Sequence, residues 1–210
     1  DTNYYPSAYG PLNAENVQRL IADERDHNLR AMYEGTVLLR NENGALPLAE
    51  GERSVTVFGN SVNDPIYKSN AGNAAFNPDR GGELYAAFEA AGFQINPAMR
   101  EAYASSGVAR ASAATRGVSS IGEVPVSFYT DALKSSFDAQ YHDVALVLLS
   151  RYGGEGGDLD PMDADGVPLL SLHQEEADLL RMIHDSGKFT KTVVLVNSPF
   201  AMDIQWIEEE

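Results

Sequence analysis

The chain has 210 residues and carries 31 acidic against 15 basic side chains, a formal net charge of −16 at pH 7. This charge argues against nucleic acid and against anionic membrane surfaces as partners, because proteins bind both through lysine and arginine. The absence of cysteine excludes disulfide scaffolds, thiolate metal sites and cysteine nucleophiles.

The composition is that of an ordinary globular protein, with 43% hydrophobic residues. No apolar stretch approaches the roughly 20 residues that a membrane-spanning helix needs. The sequence does not begin with a basic region followed by an apolar one, so no signal peptide is visible. This favours a cytoplasmic location, unless a leader has been removed.

The amino-terminal part predicts an irregular arm followed by one helix. Residues 1–12 are rich in tyrosine and proline and are expected to form the arm. Asn13 has the side chain of a helix N-cap, and the apolar period after it predicts a helix that ends before Gly35. Residues 36–40 form a short apolar run that predicts a β-strand.

From residue 55 onward, apolar strands alternate with amphipathic helices. Residues 55–58 and 93–95 predict strands, and residues 83–91 between them predict a helix. Residues 102–122 are rich in alanine, serine and glycine and predict a loose helix or an insertion.

Two continuous apolar runs, at residues 144–149 and 192–196, are typical of strands that are buried on both faces of a parallel sheet. Residues 173–186 between them predict a helix, with Ser171 and Gln174 as its capping box.

This alternation predicts an α/β fold, a three-layer α/β/α sandwich with an open, mainly parallel sheet. The sandwich is expected to comprise residues 13–210 as one domain. Residues 204–210 predict the start of a further helix, and the sequence ends within it. This indicates a fragment of a longer protein, with the sheet truncated at its carboxyl-terminal end.

The loop after the third predicted strand is the strongest local signal for chemistry. Ligands of open α/β sheets bind beyond the carboxyl ends of the strands. Residues 150–158 lie there and read SRYGGEGGD, so that one carboxylate, Glu155, stands among four glycines. Glycines permit unusual backbone angles and a close approach of a ligand. The residues by themselves leave open a catalytic carboxylate and a flexible turn with a solvated glutamate.

Other site patterns are weaker, and the sequence indicates no cofactor. Asp158, Asp160, Asp163 and Asp165 form an acidic run that invites a calcium site, but their spacing differs from that of an EF-hand loop. A solvated acidic loop remains the alternative. The four histidines show no zinc-binding spacing.

Several segments together carry a family resemblance. Residues 34–48 read EGTVLLRNENGALPL, and residues 55–59 read VTVFG. Residues 150–158 and 193–198 follow in the later strands and their loops. Taken together they resemble the C-terminal-type α/β sandwich domain of glycoside hydrolase family 3, in its β-glucosidase branch.

The resemblance implies a domain of a retaining exo-β-glycosidase, of the β-glucosidase or β-xylosidase type, that hydrolyses terminal O-glycosidic bonds. In this family a barrel domain supplies a nucleophilic aspartate and the sandwich domain lends the general acid/base, a position that Glu155 occupies here. Arg151, Tyr152 and Asp158 are expected to orient the loop or to contact the sugar.

The partners implied are a β-linked oligosaccharide or glycoside and the barrel domain of the same protein. No barrel motif is present in this sequence, so the fragment alone is expected to be inactive. Two alternatives remain open, namely a non-catalytic carbohydrate-binding or interaction module of the same fold and a stand-alone hydrolase that uses Ser198.

Overall fold

The computed structural model describes residues 8, 10, 11, 13–63, 84–109, 120–152 and 159–208. The chain divides into two compact units, Asp1–Asn43 and Gly44–Glu210. The prediction that residues 13–210 form one domain stays a prediction.

The first unit contains the predicted helix, α1 (Ala14–Gly35). Asn13 has an extended backbone, and its side chain accepts a hydrogen bond from the backbone N–H of Asn16 at 2.8 Å. The predicted N-cap is therefore confirmed.

The strand predicted at residues 36–40 is wrong, because these residues have no regular secondary structure. A strand exists only where a neighbour completes its ladder of hydrogen bonds. Within the described ranges, every pairing between strands belongs to the second unit.

The second unit is built on a sheet in which every described pairing is parallel. Its strands are β1 (Ser54–Phe58), β2 (Gln94–Ile95), β3 (Val144–Ser150) and β4 (Lys191–Asn197). Their order across the sheet is β2-β1-β3-β4. All four lie where the apolar runs predicted strands.

Helices connect these strands, namely α2 (Leu84–Ala90), α3 (Pro97–Ala104), α4 (Asp131–Asp138) and α5 (Gln174–Ser186). Shorter 3₁₀ turns occupy Asn60–Asn63, Val126–Phe128 and Gln205–Ile207. No helix in the described ranges has the length and apolarity that crossing a membrane requires.

Helix α4 escaped the sequence analysis, although Thr130 caps its amino terminus by accepting a hydrogen bond from the N–H of Leu133. Phe137 is the one fully buried residue of this helix. Leu133 packs against the same cluster as Phe137, four residues further on, and this helical spacing could have revealed α4 from the sequence.

Strand β3 shows why the fold has three layers. Successive side chains of a strand point to opposite faces of its sheet. Ala145, Val147 and Leu149 pack in one apolar cluster with residues of α3, α4 and α5. Val144, Leu146 and Leu148 pack in a second cluster with Tyr85 and other residues of α2. Both faces are therefore covered, and the predicted α/β sandwich is confirmed.

The full burial predicted for β4 is wrong. Its residues are half-buried or exposed, and Leu195 and Val196 each expose 37% of their surface. Within the described residues β4 pairs only with β3 and forms an edge of the sheet. Continuous apolar sequence therefore does not distinguish an edge strand from a central one.

Gly59 allows the chain to leave β1 closely packed against β3. Its φ of +105° lies in a region that residues with a side chain rarely adopt. A Cβ placed there would overlap the carbonyl oxygen of Leu148. The N–H of Gly59 also donates a 2.8 Å hydrogen bond to the hydroxyl of Tyr103.

We predict that Gly59→Ala lowers the free energy of unfolding by about 2 kcal/mol or more, since the positive φ and the overlap with Leu148 both oppose a Cβ. Urea denaturation of the chain would measure this loss. Gly51→Ala is the control, because a Cβ on Gly51 meets no atom within 4 Å. Equal stability of the two variants would contradict the proposed packing constraint.

Candidate functional site

The candidate site is the edge of the sheet at which β1, β3 and β4 end. Because the strands are parallel, their carboxyl ends share this edge. The hydroxyl of Ser61 donates to that of Ser150 at 3.0 Å, and Ser150 reaches the side-chain oxygen of Asn197 at 3.5 Å. The points at which the chain leaves the three strands are thus held side by side.

Arg151, the first residue after β3, is 1% exposed. Two of its N–H groups donate to the two carboxylate oxygens of Glu176, each at 2.7 Å. The other three donate to the carbonyl oxygens of Ser150, Leu169 and Ser171. A guanidinium has five N–H donors, so all of them are satisfied within the protein.

Glu176 also caps α5. One of its oxygens accepts the backbone N–H of His173, the N-cap residue, at 3.0 Å. The capping box predicted at Ser171 and Gln174 is therefore wrong, because the helix begins at Gln174 and the carboxylate comes from Glu176 instead. A glutamate three residues after an N-cap is a recognised signal, and it could have revealed Glu176 from the sequence.

Two of the four predicted site residues lie in the part of the chain that the structure describes. Arg151 lies at the sheet edge as described, and Tyr152 beside it is 3% exposed. Glu155 and Asp158 lie outside the described residues. The roles assigned to all four stay predictions.

Glu123 is a carboxylate at the same edge that the sequence analysis missed. Its oxygens accept the backbone N–H groups of Asn60, which follows β1, and of Val124. Burial raises its pKa from 4.5 to about 7, and the nearby charges of Glu176 and Glu175 act in the same direction. No local pattern marks this residue, because its environment comes from distant segments.

Asn60 joins several loops beside this carboxylate. Its side-chain amide donates to the carbonyl oxygens of Val108 and Gly122 at 2.9 and 2.8 Å, and its side-chain oxygen accepts from the hydroxyl of Ser106. These bonds satisfy a buried amide, so Asn60 fixes the position of the backbone N–H that binds Glu123.

The other sequence candidates take structural roles among the described residues. The hydroxyl of Ser198 donates to the carbonyl oxygen of Phe200 and accepts its N–H. One oxygen of Asp163 accepts the N–H groups of Asp165 and Val167. No group of three or more acidic or histidine side chains in the described ranges is placed to hold a metal ion.

A cavity of about 300 Å³ lies at the opposite edge of the sheet, lined by Ser54, Gln94 and residues 139–142. These residues precede or begin the strands. Ligands of open α/β sheets bind at the carboxyl ends, so this cavity is a weaker candidate despite its size.

Together, the parallel sheet and the helices that cover its two faces define an α/β sandwich domain. The family described as the glycosyl hydrolase family 3 C-terminal domain matches residues 36–210. The chain therefore belongs to this family, and the resemblance noted in the sequence is confirmed.

Solved structures of β-glucosidase 3B from Thermotoga neapolitana share the fold. The complex with α-D-glucose is 23% identical with a TM-score of 0.64, over 89% of this chain and 26% of that one. The complex with glycerol is 24% identical with a TM-score of 0.60, over 85% and 24%. This chain thus spans about a quarter of that enzyme's length. No curated protein matches the chain by sequence.

We predict that Glu176→Gln lowers the free energy of unfolding by about 3–5 kcal/mol, because it leaves the buried charge of Arg151 without its counter-ion. Urea denaturation would measure the loss. Glu175→Gln is the matched control, since it makes the same change one residue away, at a side chain that forms no ion pair among the described residues. A loss no larger than that of the control would show that the ion pair contributes little.

The raised pKa of Glu123 predicts a specific pH dependence of stability. The folded chain holds this proton up to about pH 7, whereas the unfolded chain releases it near 4.5. The stability that the protonated carboxyl contributes is therefore complete below pH 4.5 and is lost as the pH rises to about 7.

Accordingly, Glu123→Gln should gain stability relative to the wild type between pH 5 and pH 8, as measured by urea denaturation at each pH. Glu101→Gln on the exposed surface of α3 is the control and should show no such trend. A constant difference between Glu123→Gln and the wild type would contradict the raised pKa.

Proposed function

We propose that this domain supplies a general acid/base glutamate, Glu155, to a retaining exo-β-glycosidase whose nucleophilic aspartate lies on a separate barrel domain. The observation that carries the proposal is the position of the glycine-rich loop, which begins at the carboxyl end of the central strand β3 in a domain of glycoside hydrolase family 3. The family relates this domain to glycosyl hydrolases, whereas the acid/base role of Glu155 is our assignment.

The chemistry of retention explains why a second domain is required. A retaining glycosidase needs one protonated carboxyl to donate to the leaving oxygen and one ionised carboxylate to attack the anomeric carbon, about 5–5.5 Å apart. A carboxylate that approaches from the barrel, together with burial beneath that domain, would raise the pKa of Glu155. The acid would then remain protonated until the substrate is cleaved.

The contacts at the base of the loop support this assignment. Arg151 donates its backbone N–H to the carbonyl oxygen of Asn197 in β4 at 3.1 Å. Its guanidinium reaches the chain again at Leu169, Ser171 and Glu176. We therefore assign Arg151 to orienting the loop, the first of its two predicted roles, since none of its donors is left for a sugar.

Tyr152 and Asp158 complete the proposal at the two ends of the glycine-rich stretch. Tyr152 is buried beside Arg151, which favours a role in anchoring the loop. Asp158 is proposed to contact the glycoside or to orient the loop from its far end.

The test is Glu155→Ala in the enzyme that contains both domains. We expect hydrolysis of alkyl β-glycosides to fall by about 100-fold or more, because a poor leaving group depends on the proton. Activated aryl β-glycosides should lose far less, and azide should restore part of the lost turnover. Steady-state kinetics on the two kinds of substrate would measure the difference.

Asp160→Asn is the matched control, since Asp160 is an exposed carboxylate further along the same chain segment. It should leave both activities unchanged. Equal losses on both substrates for Glu155→Ala would assign Glu155 a different role. Unchanged activity on both would favour a non-catalytic module of the same fold.

A further inference from the structure

A series of hydrogen bonds joins the end of β1 to the end of β3. Ser61, which lies in the turn after β1, donates its hydroxyl to that of Ser150, the last residue of β3, at 3.0 Å. The backbone carbonyl of Ser150 in turn accepts a hydrogen bond from the guanidinium of Arg151 at 2.9 Å. A change in the position of Ser61 is therefore passed to the residue from which the glycine-rich loop starts.

Glu123 holds the other end of this series. Its Oε2 accepts the backbone N–H of Asn60, the neighbour of Ser61, at 2.9 Å, and its Oε1 accepts that of Val124 at the same distance. The side-chain amide of Asn60 also donates to the carbonyl oxygen of Gly122, which precedes Glu123. The segment around Glu123 thus binds Asn60 through both its backbone and its side chain.

A carboxylate is suited to holding these groups because it accepts hydrogen bonds without donating any. The N–H groups of Asn60 and Val124 come from segments that are far apart in the sequence, and both reach the carboxylate of Glu123. Hydrogen bonds to an ionised acceptor are roughly twice as strong as those between neutral groups. The turn after β1 is therefore held most firmly when Glu123 is ionised.

We propose that Glu123 is a positioning residue for the glycine-rich loop. Its carboxylate fixes Asn60, and the hydrogen bond between Ser61 and Ser150 transmits this position to the end of β3. This role rests on the proposed acid/base function of Glu155, which follows Ser150 in the same loop. A displacement of about 1 Å at a reacting group can cost about 100-fold in rate, so the start of the loop matters for catalysis.

The proton on Glu123 provides a measurable signature of this role. Burial raises its pKa from 4.5 to about 7, so the carboxyl changes its charge between about pH 6 and pH 8. Above this range both N–H groups bind a negative charge, whereas below it one oxygen carries a proton and is a poorer acceptor. The titratable and charged groups that face Glu123 are Tyr103, Tyr129, Asp163, Asp165, His173, Glu175 and Glu176, the last paired with Arg151.

The first experiment follows the backbone amide signals of the 210-residue chain by NMR from about pH 5.5 to pH 8.5. We expect the signals of Asn60 and Val124 to titrate with a midpoint of about pH 7, because their N–H groups bind the carboxylate. The signals of Ser150 and Arg151 should show the same midpoint with a smaller amplitude, because the effect reaches them through Ser61.

Two variants separate the titrating group from its connection to β3. Glu123→Gln should abolish the titration at all four amides, since the glutamine side chain does not ionise in this range. Ser61→Ala should preserve the titration at Asn60 but remove it at Ser150, because it deletes the hydroxyl that joins the two strands. Glu175→Gln is the control. It removes a neighbouring negative charge, so all four signals should still titrate, with a lower midpoint.

The second experiment measures steady-state kinetics in the enzyme that contains both domains. Glu123→Gln should lower kcat for alkyl β-glycosides by about tenfold and change KM by less than about twofold, because the loop starts from a shifted position. The ratio of wild-type to variant kcat should be largest above pH 7 and small near pH 6, where the wild-type carboxyl is protonated as well. Glu101→Gln, on the exposed surface of α3, should leave the pH profile unchanged.

Three results would overturn the proposal. Titration of Asn60 that persists in Glu123→Gln would assign the effect to another facing group, such as His173. An absence of titration at Ser150 in the wild type, or its persistence in Ser61→Ala, would show that the end of β3 does not depend on Glu123 through this series. A loss of kcat that is the same at every pH would make the role of Glu123 merely structural.

Failure of the proposed function would look different. If Glu155→Ala left hydrolysis of both kinds of glycoside unchanged, the acid/base assignment would fall. The amide titrations in the 210-residue chain would still decide whether Glu123 positions the end of β3, because they require no turnover.

Discussion

The buried ion pair of Arg151 and Glu176 is the interaction on which the carboxyl edge of the sheet depends. Removing two charges from water is costly, and the cost is offset only when the geometry is good and the remaining donors are satisfied. Both conditions hold, because the pair is bidentate and the other three N–H groups reach carbonyl oxygens. The first residue after β3 is thus fixed to the first turn of α5.

This arrangement fixes both ends of the chain segment that contains the glycine-rich stretch. The chain leaves β3 at Arg151 and returns to the same guanidinium at Leu169 and Ser171. In the sequence, Glu155 and the four glycines stand between these two anchors. The acid/base role that we propose for Glu155 needs such anchoring, since a catalytic group must be held by a rigid scaffold.

Acidic groups concentrate at this edge, and the fold tolerates them for identifiable reasons. Glu175 and Glu176 lie in the first turn of α5, where the helix dipole favours negative charge. Arg151 neutralises Glu176, whereas Glu123 is buried and retains its proton at a higher pH than a free glutamate. The edge therefore concentrates negative charge, and the pKa of Glu123 responds to the charges of its neighbours.

The sequence determined the elements whose signals are local. The apolar runs marked β1 and β3, Asn13 marked the start of α1, and the segments at residues 34–48 and 150–158 marked the family. Each of these features depends on neighbouring residues along the chain, so a pattern in one dimension contains it. The three-layer fold followed from β3, whose unbroken apolar run is covered on both faces of the sheet.

The tertiary structure alone decided the features that depend on distant partners. Residues 36–40 form no strand, and β4 is an edge strand among the described residues, because the pairing depends on which strands meet. Glu176, the partner of Arg151, lies 25 residues away, and Glu123, which accepts the backbone N–H of Asn60, lies 63 residues away. The burial of Glu123 likewise arises only when separate loops converge at the sheet edge, since solvation and charge act through space and not along the sequence.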